Sequence, residues 1–189
     1  MGNFGITLAN KINSQFGDGT AYNSGTPTLI NTMLGTEITN YILTNTLVAV
    51  TYTGTIPGTP PMPEVGADPG VKVIGTCAPP VGITFDSWLS SLEMNIKTGF
   101  MISAGPVVKP ITPIPIFNSL PAPLMTFVTQ EDIKNAAGDN KEGAYIKVWS
   151  RLCDGIVNWI TTQLPVPPTY AASIIGTGVA TITKISIIN

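Results

Sequence analysis

Glu131, Asp132 and Asp139 are the acids whose spacing could do chemistry. Converging, they would hold a divalent cation through oxygen ligands. They fall in Glu131–Asp154, which carries nine of the chain's 20 charges, 9 basic and 11 acidic. Their setting suggests something simpler. Thr129-Gln-Glu-Asp132 has the form of a helix capping box, with both acids at the positive end of a helix. Lys134, Lys141 and Lys147 interleave with the acids, which predicts a solvated helix face. Asp139-Asn140 lacks the alternating oxygen spacing of a calcium loop.

Two thiols are the next candidates. Cys77 and Cys153 stand 76 residues apart. A disulfide between them is possible, but two cysteines make no framework, and buried free thiols are the better expectation. Histidine is absent altogether. That removes Ser–His–acid and Cys–His catalysis, imidazole metal ligation and an imidazole pH switch together. Gly17-Asp-Gly19, Gly66–Gly70 and Gly176-Thr-Gly178 fit neither phosphate-loop pattern, and turn chemistry accounts for them. Trp88, Trp149 and Trp159 fall on apolar helix faces, where core packing outweighs base stacking. No catalytic, cofactor-binding or metal-ligating residue is assigned, and no cofactor is expected.

The elements that would position these groups follow from periodicity. Asn3–Phe16 repeats Phe4, Leu8, Ile12 and Phe16 at four-residue steps, an amphipathic helix stopped by Gly17. Thr26-Pro27 reads as a hydroxyl N-cap and a first-turn proline. The helix they open buries Ile30, Leu34, Ile38, Tyr41 and Ile42, and Gly35 weakens it a little. Leu47–Thr53 and Val71–Cys77 read as strands. Thr84–Thr98 is a third helix with a Phe85, Trp88, Leu89, Leu92, Ile96 stripe, ended by Gly99 in a left-handed conformation. Glu142–Leu164 is the strongest helix. Its Tyr145, Trp149, Leu152, Ile156 and Ile160 face should be buried, with Trp149, Leu152 and Ile156 packed on the Phe85/Trp88/Leu92/Ile96 stripe.

Proline sets the remaining segments. Five prolines in 54–70 and six in 105–123 predict extended arms without regular structure, ordered by contacts with other chains. Pro110–Pro113 could be read as a Pro-x-x-Pro peptide ligand, but a packed arm is the better reading of its Val/Ile flanks. Gly178–Ile188 has β-branched residues on both faces and one charge, Lys184. It predicts a strand that pairs with a sheet edge, more readily a neighbouring subunit's than its own. A faint symmetry also suggests that helix 28–46 and strand 71–75 recur as helix 142–164 and strand 179–188. The expected fold is α+β: four to five helices, a small sheet, long Pro/Gly-rich arms and a C-terminal β-strand. Residues 1–172 form one domain and 173–189 a strand extension.

Composition narrows the function. Charged residues are 11% of 189, less than half the ~25% of average proteins, and the net charge is −2. No basic footprint for nucleic acid exists. The N-terminus lacks a secretory pattern, and Ile6 stands where a myristoylation motif needs Ser or Thr. Three charge-free stretches are broken by Pro, Gly, Asn and Thr before reaching membrane-spanning length, so no membrane partner is expected.

With 25 Thr, 23 Ile, 19 Gly and 17 Pro, two proline arms and an apolar terminal strand, the chain resembles structural proteins of tailed-bacteriophage virions. The resemblance implies a non-enzymatic subunit: a capsid-associated, head–tail connector or tail component. Its partners would be copies of itself and other structural proteins, in a virion assembled in the host cytoplasm. The alternative is a bacterial surface or adhesion-type binding module. An enzyme without His-based chemistry comes third.

Overall fold

The computed structural model describes residues 4–16, 25–56, 62–67, 72–103, 114–116, 122–138, 144–163, 171–173 and 177–187. Helix α1 (Phe4–Phe16) buries Leu8 and Ile12 completely, as its four-residue repeat requires. Helix α2 (Thr26–Asn45) follows with Ile30, Leu34, Ile38 and Ile42 on one buried stripe. Pro27 sits in its first turn as expected, but Thr26 is already helical and the cap is Gly25. Lys11 of α1 pairs with Glu37 of α2, tying the two helices at their solvent side.

From α2 the chain passes directly into β1 (Thr46–Ile56), which runs three residues into the segment 54–70. There the expectation of an irregular arm is corrected. β2 (Met62–Ala67) pairs antiparallel with β1 from Thr51 to Ile56. β2 is an edge strand of its sheet, and an edge tolerates Pro63 because one side of the backbone there needs no donor. Residues 57–61 and 68–71 lie outside the described residues. Of the second arm, Ile114–Pro115 is described as a short strand, and 105–113 and 117–121 lie outside.

β3 (Lys72–Gly75) and β4 (Phe100–Ser103) pair antiparallel, and Ile114–Pro115, β5, completes a three-stranded sheet. Between them runs α3 (Phe85–Gly99), opened by a capping box between Thr84 and Ser87. Its end corrects a reading. Gly99 does not have a positive φ; among described residues only Gly75 and Gly138 do. Glycine is needed at 99 because a Cβ there would collide with the Thr76 carbonyl oxygen, and the Thr76 N–H donates to Gly99 O at 3.0 Å.

A 3-10 turn (Leu124–Thr126) leads into α4 (Gln130–Ala137), and α5 (Ala144–Gln163) follows. Glu93 of α3 anchors the turn: its Oε2 accepts the Leu124 N–H at 2.8 Å while Lys97 pairs with its other oxygen. α5 buries Leu152, Cys153, Ile156, Trp159 and Ile160. It lies chiefly against α1 and α4 rather than against α3. Gly155 makes this close seating possible, since a Cβ there would overlap a Val128 methyl and stand 3.0 Å from Phe127 O.

β6 (Ala171–Ser173) and β7 (Thr177–Ile187) close a four-stranded sheet in the order β2-β1-β7-β6. The terminal segment is therefore a strand, but its partner is β1 of the same chain, paired from Thr46↔Ile187 to Thr55↔Thr177. The register slips once: Ala49 faces Lys184 and Val50 faces Ile182, leaving Thr183 as the extra residue of a bulge. The slip brings 182 into the same register set as 185 and 187, opposite 50, 48 and 46, while 179, 181, 184 and 186 stand opposite 53, 51, 49 and 47, so apolar positions remain in both sets. β3 and β7 belong to different sheets, so the suggested internal symmetry does not extend to the strands.

The architecture is α+β: the described residues hold five α-helices and small antiparallel sheets around a buried apolar cluster.

Candidate functional site

The sequence-singled acids do not converge. Asp132 closes the capping box of α4: its Oδ2 accepts from Thr129 N at 2.9 Å and Thr129 Oγ1 at 2.8 Å. The Arg151 guanidinium stands 3.1 Å from the same oxygen. These hydrogen bonds, first the Thr129 backbone N–H, hold the Asp132 carboxyl below its ordinary range. Glu131 is exposed, and Asp139 lies outside the described residues. Among the described residues no three His, Cys, Asp or Glu side chains come together as a metal site.

Both cysteines are free and buried. Burial pushes the Cys77 thiol up to about 12. Cys153 is raised as well, by burial first and then by the negative charges of Asp154 and Glu37. A nucleophilic cysteine needs a lowered pKa and access, and neither thiol has them. Cys77 has a packing role. Its N–H donates to Thr39 Oγ1 at 2.8 Å, and its carbonyl lies where a Cβ on Gly35 would come within 2.7 Å. Gly35 thus costs α2 some helix propensity and permits this close approach.

What the fold does assemble is an open apolar cleft of about 440 Å³. Four separate stretches build it: the first turns of α2, residues 82–88, Ile133 of α4, and facing positions on α5. Phe85 and Trp88 stack with ring centroids 6.4 Å apart and planes at 19°. The Trp88 indole N–H donates to Asn31 Oδ1 at 3.1 Å, fixing the ring between α3 and α2. Trp149 and Leu152 of α5 line the opposite wall.

The rim is held by polar side chains of α3. Ser91 Oγ accepts the Val81 N–H at 3.0 Å, and Asn95 Nδ2 donates to the carbonyls of Ala78 and Pro79. Gly82 lies so close to the Trp88 backbone that any Cβ would clash. This strapped loop turns Val81 and Ile83 outward, 72% and 103% exposed. Among the described residues no ionisable side chain lines the cleft. It can therefore bind apolar surface.

Here the structure corrects the tryptophans. Trp159 is fully buried, and its indole N–H donates to Ala122 O at 3.0 Å. Trp149 was expected among the most buried residues of α5; it is only partly buried and borders the cleft, as Trp88 does. Asn31 and Ile83 had no place in the sequence reading. The one signal for Ile83 was a large aliphatic residue between Gly82 and the Thr84 cap, where a loop needs none.

No protein-family model matches the chain, and no curated protein or solved structure matches it. No helix among the described residues is long and apolar enough to cross a membrane.

Proposed function

We propose that this chain is a non-enzymatic structural subunit that acts by packing against neighbouring chains, in the manner of the virion components it resembles. The observation that carries this reading is Ile83, wholly exposed at the rim of an uncharged cleft walled by Trp88 and Trp149. An isolated surface isoleucine needs no explanation, but one continuous with an apolar cleft marks an interaction surface. Aromatic anchors with an aliphatic rim and no charge are the make-up of an interface centre. Among the described residues both thiols are buried, and Asp132, Glu93 and Glu37 are engaged in ion pairs.

Sedimentation velocity of the purified chain tests it, comparing wild type with Ile83→Asp. Wild type should sediment as a higher-order species. The variant, which changes an exposed side chain, should keep its circular dichroism and lose association. A wild-type monomer up to the solubility limit would overturn the reading. The cleft volume also lies within the ~300–1,000 Å³ of small-ligand sites, which favours a binding module as the second reading. Tryptophan quenching by a small aromatic probe, saturable and independent of association state, would support that one.

A further inference from the structure

The polar groups of the cleft are one-sided. Among the described lining residues only Asn31, Thr84 and the two indoles carry polar side-chain atoms. The Thr84 hydroxyl is engaged in the α3 cap, accepting the Ser87 N–H at 3.2 Å and donating to Ser87 Oγ at 3.0 Å. Asn31 Oδ1 accepts the Trp88 indole N–H at 3.1 Å, and an indole N–H only donates. The half-buried Asn31 also carries the Nδ2 group, which can only donate and has no partner among the described residues. These side chains therefore present a donor and apolar surface, while their acceptor oxygens are already in use.

We propose that the cleft receives an uncharged proline-rich segment of a partner protein, its rings against Phe85, Trp88 and Trp149 and one of its carbonyls accepting from Asn31 Nδ2. This rests on the reading of the cleft as an interaction surface and names the chemistry that fills it. An ordinary peptide brings an N–H as well as a carbonyl at each residue. Each N–H laid against Trp88, Trp149 and Ile133 would lose its water without meeting a side-chain acceptor. Proline brings the carbonyl and no N–H. Its ring packs on aromatic faces, and a proline-rich chain is already extended as polyproline II before it binds, which lowers the ordering cost. Charge points the same way: no ionisable side chain among the described residues lines the cleft, so a charged segment would be buried unpaired. The rim favours a chain over a small ligand. Val81 and Ile83 are exposed on the loop that edges the cleft, and an occupant that covers them must run on past its mouth.

Capped octaproline is the probe, titrated into the full chain and followed by tryptophan fluorescence, with capped (Gly-Ser)4 as the uncharged control of equal length. Octaproline should give a saturable change and the control none. Asn31→Asp keeps an oxygen for the Trp88 N–H and replaces the amide donor with a carboxylate oxygen. It should weaken octaproline binding about tenfold while the near-ultraviolet circular dichroism stays that of wild type. Octaproline that binds no better than the control, or binds Asn31→Asp as tightly as wild type, would overturn the proposal. Saturable binding of indole by a chain that ignores octaproline would overturn it in favour of a small-ligand site. Self-association abolished by Ile83→Asp in a chain that ignores octaproline would overturn it too, while upholding the cleft as an interface. Octaproline binding by a chain that sediments as a monomer would uphold it and overturn only the reading of self-association.

Discussion

Trp88 and Asn31 are 57 residues apart in sequence, and a single hydrogen bond of 3.1 Å joins the indole of one to the amide oxygen of the other. It is a polar fixture in a largely apolar cleft wall, and it joins α3 to α2. A ring so fixed offers a rigid face to whatever enters, which lowers the ordering cost of binding.

Trp88→Phe removes the donor and keeps an aromatic ring against Phe85. We expect a loss of about 1 kcal/mol, the net worth of one hydrogen bond, or roughly 2–4 °C in Tm for a chain of this size. Asn31→Ala should cost a similar amount. The double variant should cost less than the sum, because the second change finds the bond already gone. Strict additivity in urea unfolding would show that the pair contributes nothing to stability.

The buried thiols give a pH dependence of fixed sign. Burial raises Cys77 to about 12 and raises Cys153 too, above the ordinary thiol value of 9.0. The folded state therefore holds these protons more tightly than the unfolded state. Their contribution to stability is full below pH 9 and is lost as pH rises from there toward the folded values. The Tyr41 phenol, also raised by burial, adds the same sign at higher pH. The unfolding free energy from urea titrations should fall between pH 8.5 and 10.5, with a slope of up to about 1.4 kcal/mol per pH unit for each thiol. A thiol-reactive chromogen at pH 8 should label neither cysteine in the native chain and both in denaturant. Rapid native labelling of either one would contradict the burial.

The helices were legible because their signals are local. Leu8 and Ile12, then Ile30, Leu34, Ile38 and Ile42, lie on single stripes and are all buried. The capping box at Thr129 and Asp132 formed as written, since its partners are three residues apart. What escaped the sequence depends on distant partners. The bulge at Thr183 exists only in register with Ala49 and Val50, more than 130 positions away. Pro63 looked like a strand breaker because nothing local says that β2 lies at an edge. The need for Gly99 is set by a carbonyl at Thr76, on another element. The cleft was invisible for the same reason: Asn31, Ile83 and Trp149 meet only after three separate segments fold.

Trp149 and Trp159 show where helical periodicity stops being sufficient. Both stand on α5 with apolar neighbours at helical spacing, and sequence alone favours Trp149 as the core residue. The fold reverses that order. α1 and the Leu124–Thr126 turn pack against α5, and Trp159 is fully buried, while Trp149 borders the open cleft. Trp159→Ala should therefore leave a large cavity and cost about 3–5 kcal/mol, in addition to abandoning the Ala122 carbonyl. Trp149→Ala removes a half-buried ring and should cost about 1–2 kcal/mol, since the cleft already admits solvent. Each tryptophan kept alone, with Phe at the other two positions, separates their environments optically. Trp159 should emit at shorter wavelength and resist acrylamide; Trp149 should emit further to the red and be quenched. A more stable Trp159→Ala than Trp149→Ala, or quenching in the opposite order, would mean that α5 turns its other end to the core.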